Sequence, residues 1–157
     1  MRVLISTNMY PHDQRPWYGI FVQQQEESLR RLGVEVDVSA HLGCLSRLNY
    51  ARGLTDLVRH LREHPYDLIH SHHPYSTILA WMARGIAGRT TVPLIQTFHD
   101  SEIYRRDTHF EQDFLRRLKY SLRLKAWALR RCDYLIPVQR DMLPTVLGRD
   151  ADRIPWS

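Results

Sequence analysis

Four of the nine histidines fall where polar residues interrupt apolar runs. His70, His72 and His73 close the segment Asp67-Leu68-Ile69-His70-Ser71-His72-His73, and His99 directly follows Leu94-Ile95-Gln96-Thr97-Phe98. A histidine held at the end of an apolar run can donate to a phosphate or a sugar hydroxyl, or move a proton. Asp100, Ser101 and Glu102 follow His99 and add acceptors for hydroxyl groups; the alternative is an ordinary polar turn. Gly19 stands before a helical pattern, where unpaired N–H groups at a helix start suit a phosphate and a missing side chain allows close approach. It could equally serve only to turn the chain. Neither GxGxxG nor GxxxxGK[ST] occurs, so a dinucleotide fingerprint or P-loop has no support.

His70 and His72 share one face of an extended segment and could chelate a metal, with His12 and His99 as further imidazoles. No cysteine joins them, and Asp67 lies at the wrong end of the segment. Histidines hydrogen-bonded at a polar rim are therefore favoured, and no metal is expected. A metal-dependent hydrolase using His70 and His72 is the rival enzyme class.

The elements that must position these residues follow from periodicity. Val3 to Ser6 reads as a buried strand. Val22, Gln25, Leu29 and Leu32 form the inner stripe of a helix with Glu26, Glu27, Arg30 and Arg31 outside, and Gly33 is placed to end it. Val34 to Val38 alternates strictly, as a half-buried strand near a sheet edge does. His41 to Tyr50 is irregular. Leu54, Leu57, Val58 and Leu61 mark a helix stopped by Pro65. Asp67 to His70 is a third strand; Ser76 is a candidate N-cap for a helix carrying Leu79, Met82, Ala83 and Ile86. Pro93 to Phe98 is a fourth strand. A long helix is expected over Asp107 to Arg131 with Phe110, Phe114, Leu118, Leu122 and Leu129 inside. Asp133 to Val138 is a fifth strand, and Arg140 to Leu147 a short helix. Five β-α repeats predict an α/β, Rossmann-like doubly wound parallel sheet with helices on both faces in a single domain. In such sheets ligands bind outside the carboxyl ends of the strands, which is where Gly19, His72, His99 and Asp100 to Glu102 would gather.

Composition bounds partners and compartment. The 43% hydrophobic and 25% charged fractions are those of a globular chain. The formal charge of +5 suits anionic partners without selecting one. Cys44 and Cys132 form no CxxC and sit near apolar segments, so buried reduced thiols in the cytoplasm are expected. No signal peptide or membrane span is visible. On the long helix, Arg116, Tyr120, Arg123, Trp127 and Arg130 fall opposite the core stripe. Such a face can rest on an anionic membrane surface, although it is more often solvated or packed on another domain. The expected location is cytoplasmic, with peripheral contact at the inner face of the membrane and no nucleic acid partner. A non-catalytic membrane-surface or partner-binding domain is the third reading.

Together the segments resemble family 4 glycosyltransferases of the GT-B fold. Met1 to Ile5 with Tyr10-Pro11, then Gly19-Ile20-Phe21-Val22, then Leu32 to Val38, is similar to the opening of that family. Asp67-Leu68-Ile69-His70-Ser71-His72 resembles its DVVHAH segment. Pro93 to Glu102 resembles its fourth strand and the histidine turn after it, and Cys132 to Val138 its fifth strand. The resemblance covers nearly the whole chain and implies retaining transfer of a hexose-type sugar from a nucleotide-sugar donor to a hydroxyl acceptor. It implies that this N-terminal domain holds mainly the acceptor, that Gly19 faces the donor diphosphate and that His99 lies close to the transferred sugar. No cofactor beyond the nucleotide sugar is implied. Departures are the single glycine in the first loop, where members often show a pair, Gln139 in place of a serine, and Trp156-Ser157 where Asn-Gly would follow Ile154-Pro155. Residues 1–157 are thus expected to be an N-terminal acceptor-side domain without its donor-binding partner. They are read as a fragment, a shortened chain or one member of a split enzyme, inactive alone.

Overall fold

The apolar run behind Met1 becomes the strand flanked by both the second and the third. In a computed structural model, which describes residues 1–42, 45–46, 48–99, 122–138, 142–148 and 153–156, β1 (Arg2–Thr7) is followed by α1 (Ile20–Arg31), β2 (Glu35–Ala40), α2 (Leu48–Glu63), β3 (Leu68–His72), α3 (Pro74–Ile86), β4 (Leu94–Phe98), α4 (Leu122–Leu129), β5 (Tyr134–Pro137) and α5 (Met142–Leu147). The five strands are parallel in the order β2-β1-β3-β4-β5. The strictly alternating segment is an edge strand, as its pattern predicts. The chain runs from β1 to β2 on one side and then crosses to β3 on the other, so the topological switch point lies between β1 and β3. A ligand crevice is expected at such a point, beyond the carboxyl ends. There Thr7 is in register with His72.

Successive strand residues face opposite ways, and each face has its own helices. Val3, Ile5 and Val36 pack with Val22 of α1. Leu4, Ile69, Leu94, Phe98 and Leu135 pack with Leu57 and Leu61 of α2, Ala80 and Ala83 of α3 and Leu129 of α4. Burying each of the large apolar side chains is worth about 1.5–3 kcal/mol. Helices therefore cover both faces, the doubly wound arrangement predicted from the repeat order. Gly33 ends α1 with φ 79°; its N–H bonds Arg30 O and that of Val34 bonds Leu29 O, the paired pattern that closes a helix at a left-handed residue.

Several boundaries differ from expectation. β3 does not stop at His70 but continues through Ser71 and His72, because β1 and β4 flank it on both sides and keep its ladder paired. α3 begins at Pro74, not at Ser76: proline suits the first helical position, and His73 is the cap, its Nδ1 accepting the Tyr75 N–H at 3.3 Å. Ser76 is instead buried, with Oγ 3.1 Å from His41 Nε2. α2 starts at Leu48, inside the stretch read as irregular. On α1, Leu32 lies past the helix and is 80% exposed, while Glu26, expected outside, is buried. The Tyr10 hydroxyl donates to its carboxylate and Arg30 pairs with it at 2.8 Å. Of the long helix only Leu122–Leu129 is described, ending two residues before Arg131; Phe110, Phe114 and Leu118 lie outside the described residues, as does Cys44. Cys132 is a free, buried thiol whose pKa burial pushes up to about 12.

Candidate functional site at the carboxyl rim

The first loop is built against the start of α1. Thr7 Oγ1 donates to Met9 O at 2.8 Å and turns the chain out of β1. The loop returns to Gly19, the residue capping α1, with φ 73° and ψ 24°. A Cβ at that position would lie 2.5 Å from the Met9 carbonyl oxygen and 2.8 Å from the Tyr10 nitrogen. Glycine is thus required twice, by the left-handed backbone and by the Met9–Tyr10 peptide lying against it. No side chain caps α1; Ile20 N–H bonds Trp17 O at 3.4 Å and Val22 N–H bonds Gly19 O at 2.9 Å, and the helix start keeps the positive end of its dipole.

The histidines divide between two settings. His70 and His72 point to the α1 face of the sheet, their rings stacked with centroids 4.5 Å apart. His70 Nε2 is 2.8 Å from Thr97 Oγ1. His72 Nδ1 is 3.3 Å from His99 Nε2, with the two rings inclined by only 20°. Phe21, in the first turn of α1, covers this edge with its ring 4.5 Å from that of His99 and 6.2 Å from that of His72. His99 is half-buried, while His70 and His72 are buried. Burial, reinforced by neighbouring imidazoles, holds the pKa of His70 down to about 4 and that of His72 down to about 2, so both are neutral at pH 7. Gly19, His72 and His99 therefore meet at one rim, with Phe21 as the link. Two buried polar atoms there, Asn8 Oδ1 and His72 Nε2, have no hydrogen-bond partner among the described residues.

His73 turns away from this ladder. It caps α3 with φ 87° and ψ 135°, a backbone state rare outside glycine, and its ring stacks on Tyr75 at 5.0 Å. His12 stays in the first loop, its ring 6.3 Å from that of Tyr18. Among the described residues no group of three or more His, Cys, Asp or Glu could hold a metal ion. Asp100, Ser101 and Glu102 lie outside the described residues, as do Arg116, Tyr120 and Gln139. Of the remaining basic face, Arg123 and Arg130 are exposed. Trp127 is half-buried against Trp81, with centroids 5.3 Å apart, and the Arg131 guanidinium lies 3.4 Å above its ring. No described helix is long and apolar enough to cross a membrane.

Reading by motif passed over Phe21, Thr97 and His41. His41 is buried at the end of β2, with its pKa held down to about 4 by burial and then by His73. A cavity of about 580 Å³ opens beside it, lined by Ala40, His41, Asn49, Arg52 and Asp56. It lies at the β2 edge, with β1 and β3 between it and β4. The cavity is therefore separate from the histidine rim at the switch point; His41 Nδ1 beside it is also buried without a hydrogen-bond partner among the described residues. The alternation of His70, Ser71 and His72 was the readable signal for a strand end polar on both faces. Ser71 Oγ is 2.6 Å from Thr77 Oγ1 on the α3 side, and Thr77 Oγ1 donates to Gln96 Oε1 at 2.6 Å.

No curated protein matches the chain. The model of the family described as Glycosyltransferase Family 4 matches residues 17–154, which include α1, all strands after β1 and the whole histidine ladder. With most of its length matched and the parallel, doubly wound sheet in place, this chain belongs to Glycosyltransferase Family 4.

Proposed function

We propose that residues 1–157 are the N-terminal, acceptor-side domain of a retaining hexosyltransferase that moves a sugar from a nucleoside-diphosphate sugar to a hydroxyl acceptor. The nucleotide is held by a C-terminal domain that begins after Ile154-Pro155. Facing that domain, the first turn of α1 behind Gly19 lies toward the diphosphate. His99 contacts the transferred sugar from the end of β4. Asp100, Ser101 and Glu102 accept from hydroxyl groups, and His72 stands behind His99. No metal or cofactor takes part beyond the nucleotide sugar. The protein works in the cytoplasm, at the inner face of the membrane, with Arg116, Tyr120, Arg123 and Arg130 toward the lipid and Trp127 packed against Trp81 and Arg131. The observation that carries this reading is the packing of His99 on Phe21, two residues after Gly19. That contact joins an imidazole and a helix N-terminus at one rim of the switch point.

The test is His99→Ala in the chain joined to its donor-binding domain. A donor aimed at charge that develops during transfer is worth on the order of 10²-fold in rate. The expected result is a kcat lowered by about that much, with KM changed far less. An unchanged kcat overturns the assignment of His99, and turnover by residues 1–157 alone overturns the division of labour.

A further inference from the structure

The cavity at the β2 edge is built around a buried ring. His41 directly follows β2, is 2% exposed and lines the cavity. Its Nε2 is 3.1 Å from Ser76 Oγ of α3, which fixes the ring. Its Nδ1 is buried without a hydrogen-bond partner among the described residues and faces α2: a Cβ added at Gly53 would lie 3.1 Å from Nδ1 and 2.4 Å from His41 Cβ. Gly53 stands inside α2, where glycine costs about 1 kcal/mol relative to alanine. The helix thus gives up stability to let the imidazole lie against it, on the wall of an open space of about 580 Å³. Pockets that take small molecules span about 300–1,000 Å³.

The charges of the cavity do not cancel. Arg52, Asp56 and Arg59 line it from α2. The carboxylate is engaged on both oxygens: Oδ1 pairs with Arg59, and Oδ2 accepts from Ser39 Oγ at 2.7 Å. Arg52 stands four residues before Asp56, within reach on a helix, but a cation N-terminal to its anion is the poorer order. Arg52 makes no ion pair or hydrogen bond among the described residues. Its guanidinium is a planar fork of donors that matches a phosphate or a carboxylate. Ala40, Leu42 and Gly53 add apolar wall beside it. We propose that the β2-edge cavity is a second ligand site, which takes a small molecule bearing a phosphate or carboxylate, with Arg52 as the counter-ion and His41 beneath it. The site is distinct from the rim of the transfer reading, since β1 and β3 stand between it and β4.

Binding is read on this chain from ¹H–¹⁵N correlation spectra during titration with inorganic phosphate and, separately, with acetate, against sodium chloride at matched ionic strength. The expected result is a saturable shift of the amides around His41 and along Asn49 to Arg59 with at least one of the two oxyanions. A response to phosphate alone assigns a phosphate-bearing ligand, and a response to acetate alone a carboxylate-bearing one. Arg52→Gln should weaken that binding at least about tenfold, as loss of a charged hydrogen-bond donor does. Arg52 is exposed, so the variant keeps the fold. Arg62→Gln removes the same charge from α2 outside the cavity and should leave the affinity unchanged. No saturable shift beyond that of chloride overturns the proposal. So do shifts confined to the first turn of α1, which place the anion at the rim. Equal affinities in Arg52→Gln and the wild type, or equal losses in Arg52→Gln and Arg62→Gln, overturn it as well.

Discussion

Replacing Gly19 by alanine separates two reasons for a glycine at the head of α1. The backbone there has φ +73°, and a left-handed state costs an alanine about 1–2 kcal/mol. The new methyl would also meet the Met9–Tyr10 peptide, 2.5 Å from Met9 O. Main chain cannot swing aside as a side-chain tip can, so the loop must shift, at about 1–3 kcal/mol. Alanine restricts the unfolded chain and returns about 0.4–1 kcal/mol. Gly19→Ala should therefore destabilise the fold by about 2–4 kcal/mol. Gly33→Ala is the control: its φ is +79°, and nothing lies within 4 Å of the added carbon. It carries only the backbone part, about 1 kcal/mol net. Urea unfolding of both variants gives the difference, which should reach about 1–3 kcal/mol and lower the midpoint of Gly19→Ala by about a further 1 M. Equal midpoints would mean that the Met9–Tyr10 peptide does not press on position 19, and the account of the first loop would fail. The same result would leave close approach by a ligand as the remaining reason for the glycine.

Acid should weaken the fold well above the carboxylate range. The pKa of His41, His70 and His72 is held below the unfolded value of about 6.5, so as pH falls through 6.5 the unfolded chain takes up protons that the folded chain refuses. Stability drops by about 1.4 kcal/mol per pH unit for each of the three until pH nears 4, where His41 and His70 protonate in the folded state too; urea unfolding that gives the same free energy at pH 7.5 and pH 5 would refute this. At His73, whose φ is 87°, glycine removes a backbone strain of about 1–3 kcal/mol against about 0.5–1 kcal/mol of added unfolded-state entropy and about 0.3 kcal/mol for the lost cap to the Tyr75 N–H. His73→Gly should leave stability unchanged or raise it by up to about 2 kcal/mol, whereas His73→Ala keeps the strain and loses the cap to the Tyr75 N–H, for a loss of about 1 kcal/mol; thermal melts in which both variants fall equally would contradict the strained cap.

Local patterns carried the architecture because each strand or helix announces itself within about fifteen residues. The strict alternation of Val34 to Val38 even placed the edge strand. What escaped depends on partners far away in sequence. Ser76 is a residue type that caps helices, and nothing nearby shows that its hydroxyl belongs to His41, 35 residues earlier. Proline at position 74 was the better start signal, since it favours the first helical position. Glu26 stands four residues from Val22 and so shares its face, but its charge argued for the outside. Only the return of the first loop brings the Tyr10 hydroxyl to its carboxylate. At the rim, His99 could be placed at a strand end from its own segment. Its neighbour could not, because the meeting with His72 depends on β3 pairing with β4 and on β3 running two residues past His70, its expected end.

Stability alone does not account for what β3 carries beyond Ile69. His70, Ser71 and His72 are all at most 3% exposed, in a strand flanked by neighbours on both sides, where valine or isoleucine would bury more apolar surface and leave no acid sensitivity. Two of the five buried side-chain atoms without a partner, Asn8 Oδ1 and His72 Nε2, fall at the ends of the two strands that form the switch point. The one non-glycine residue with positive φ among the described residues, His73, is the next along the chain. Unmatched polar atoms, buried titratable rings and backbone strain are each unfavourable, and evolution disperses them unless a site needs them together. Two of them, unmatched polar atoms and buried titratable rings, recur where β1 and β3 part, beside the histidine that follows β4; His41 at the β2 edge carries the same two. We propose the rim at the switch point as the working face because a parallel sheet opens its ligand crevice there.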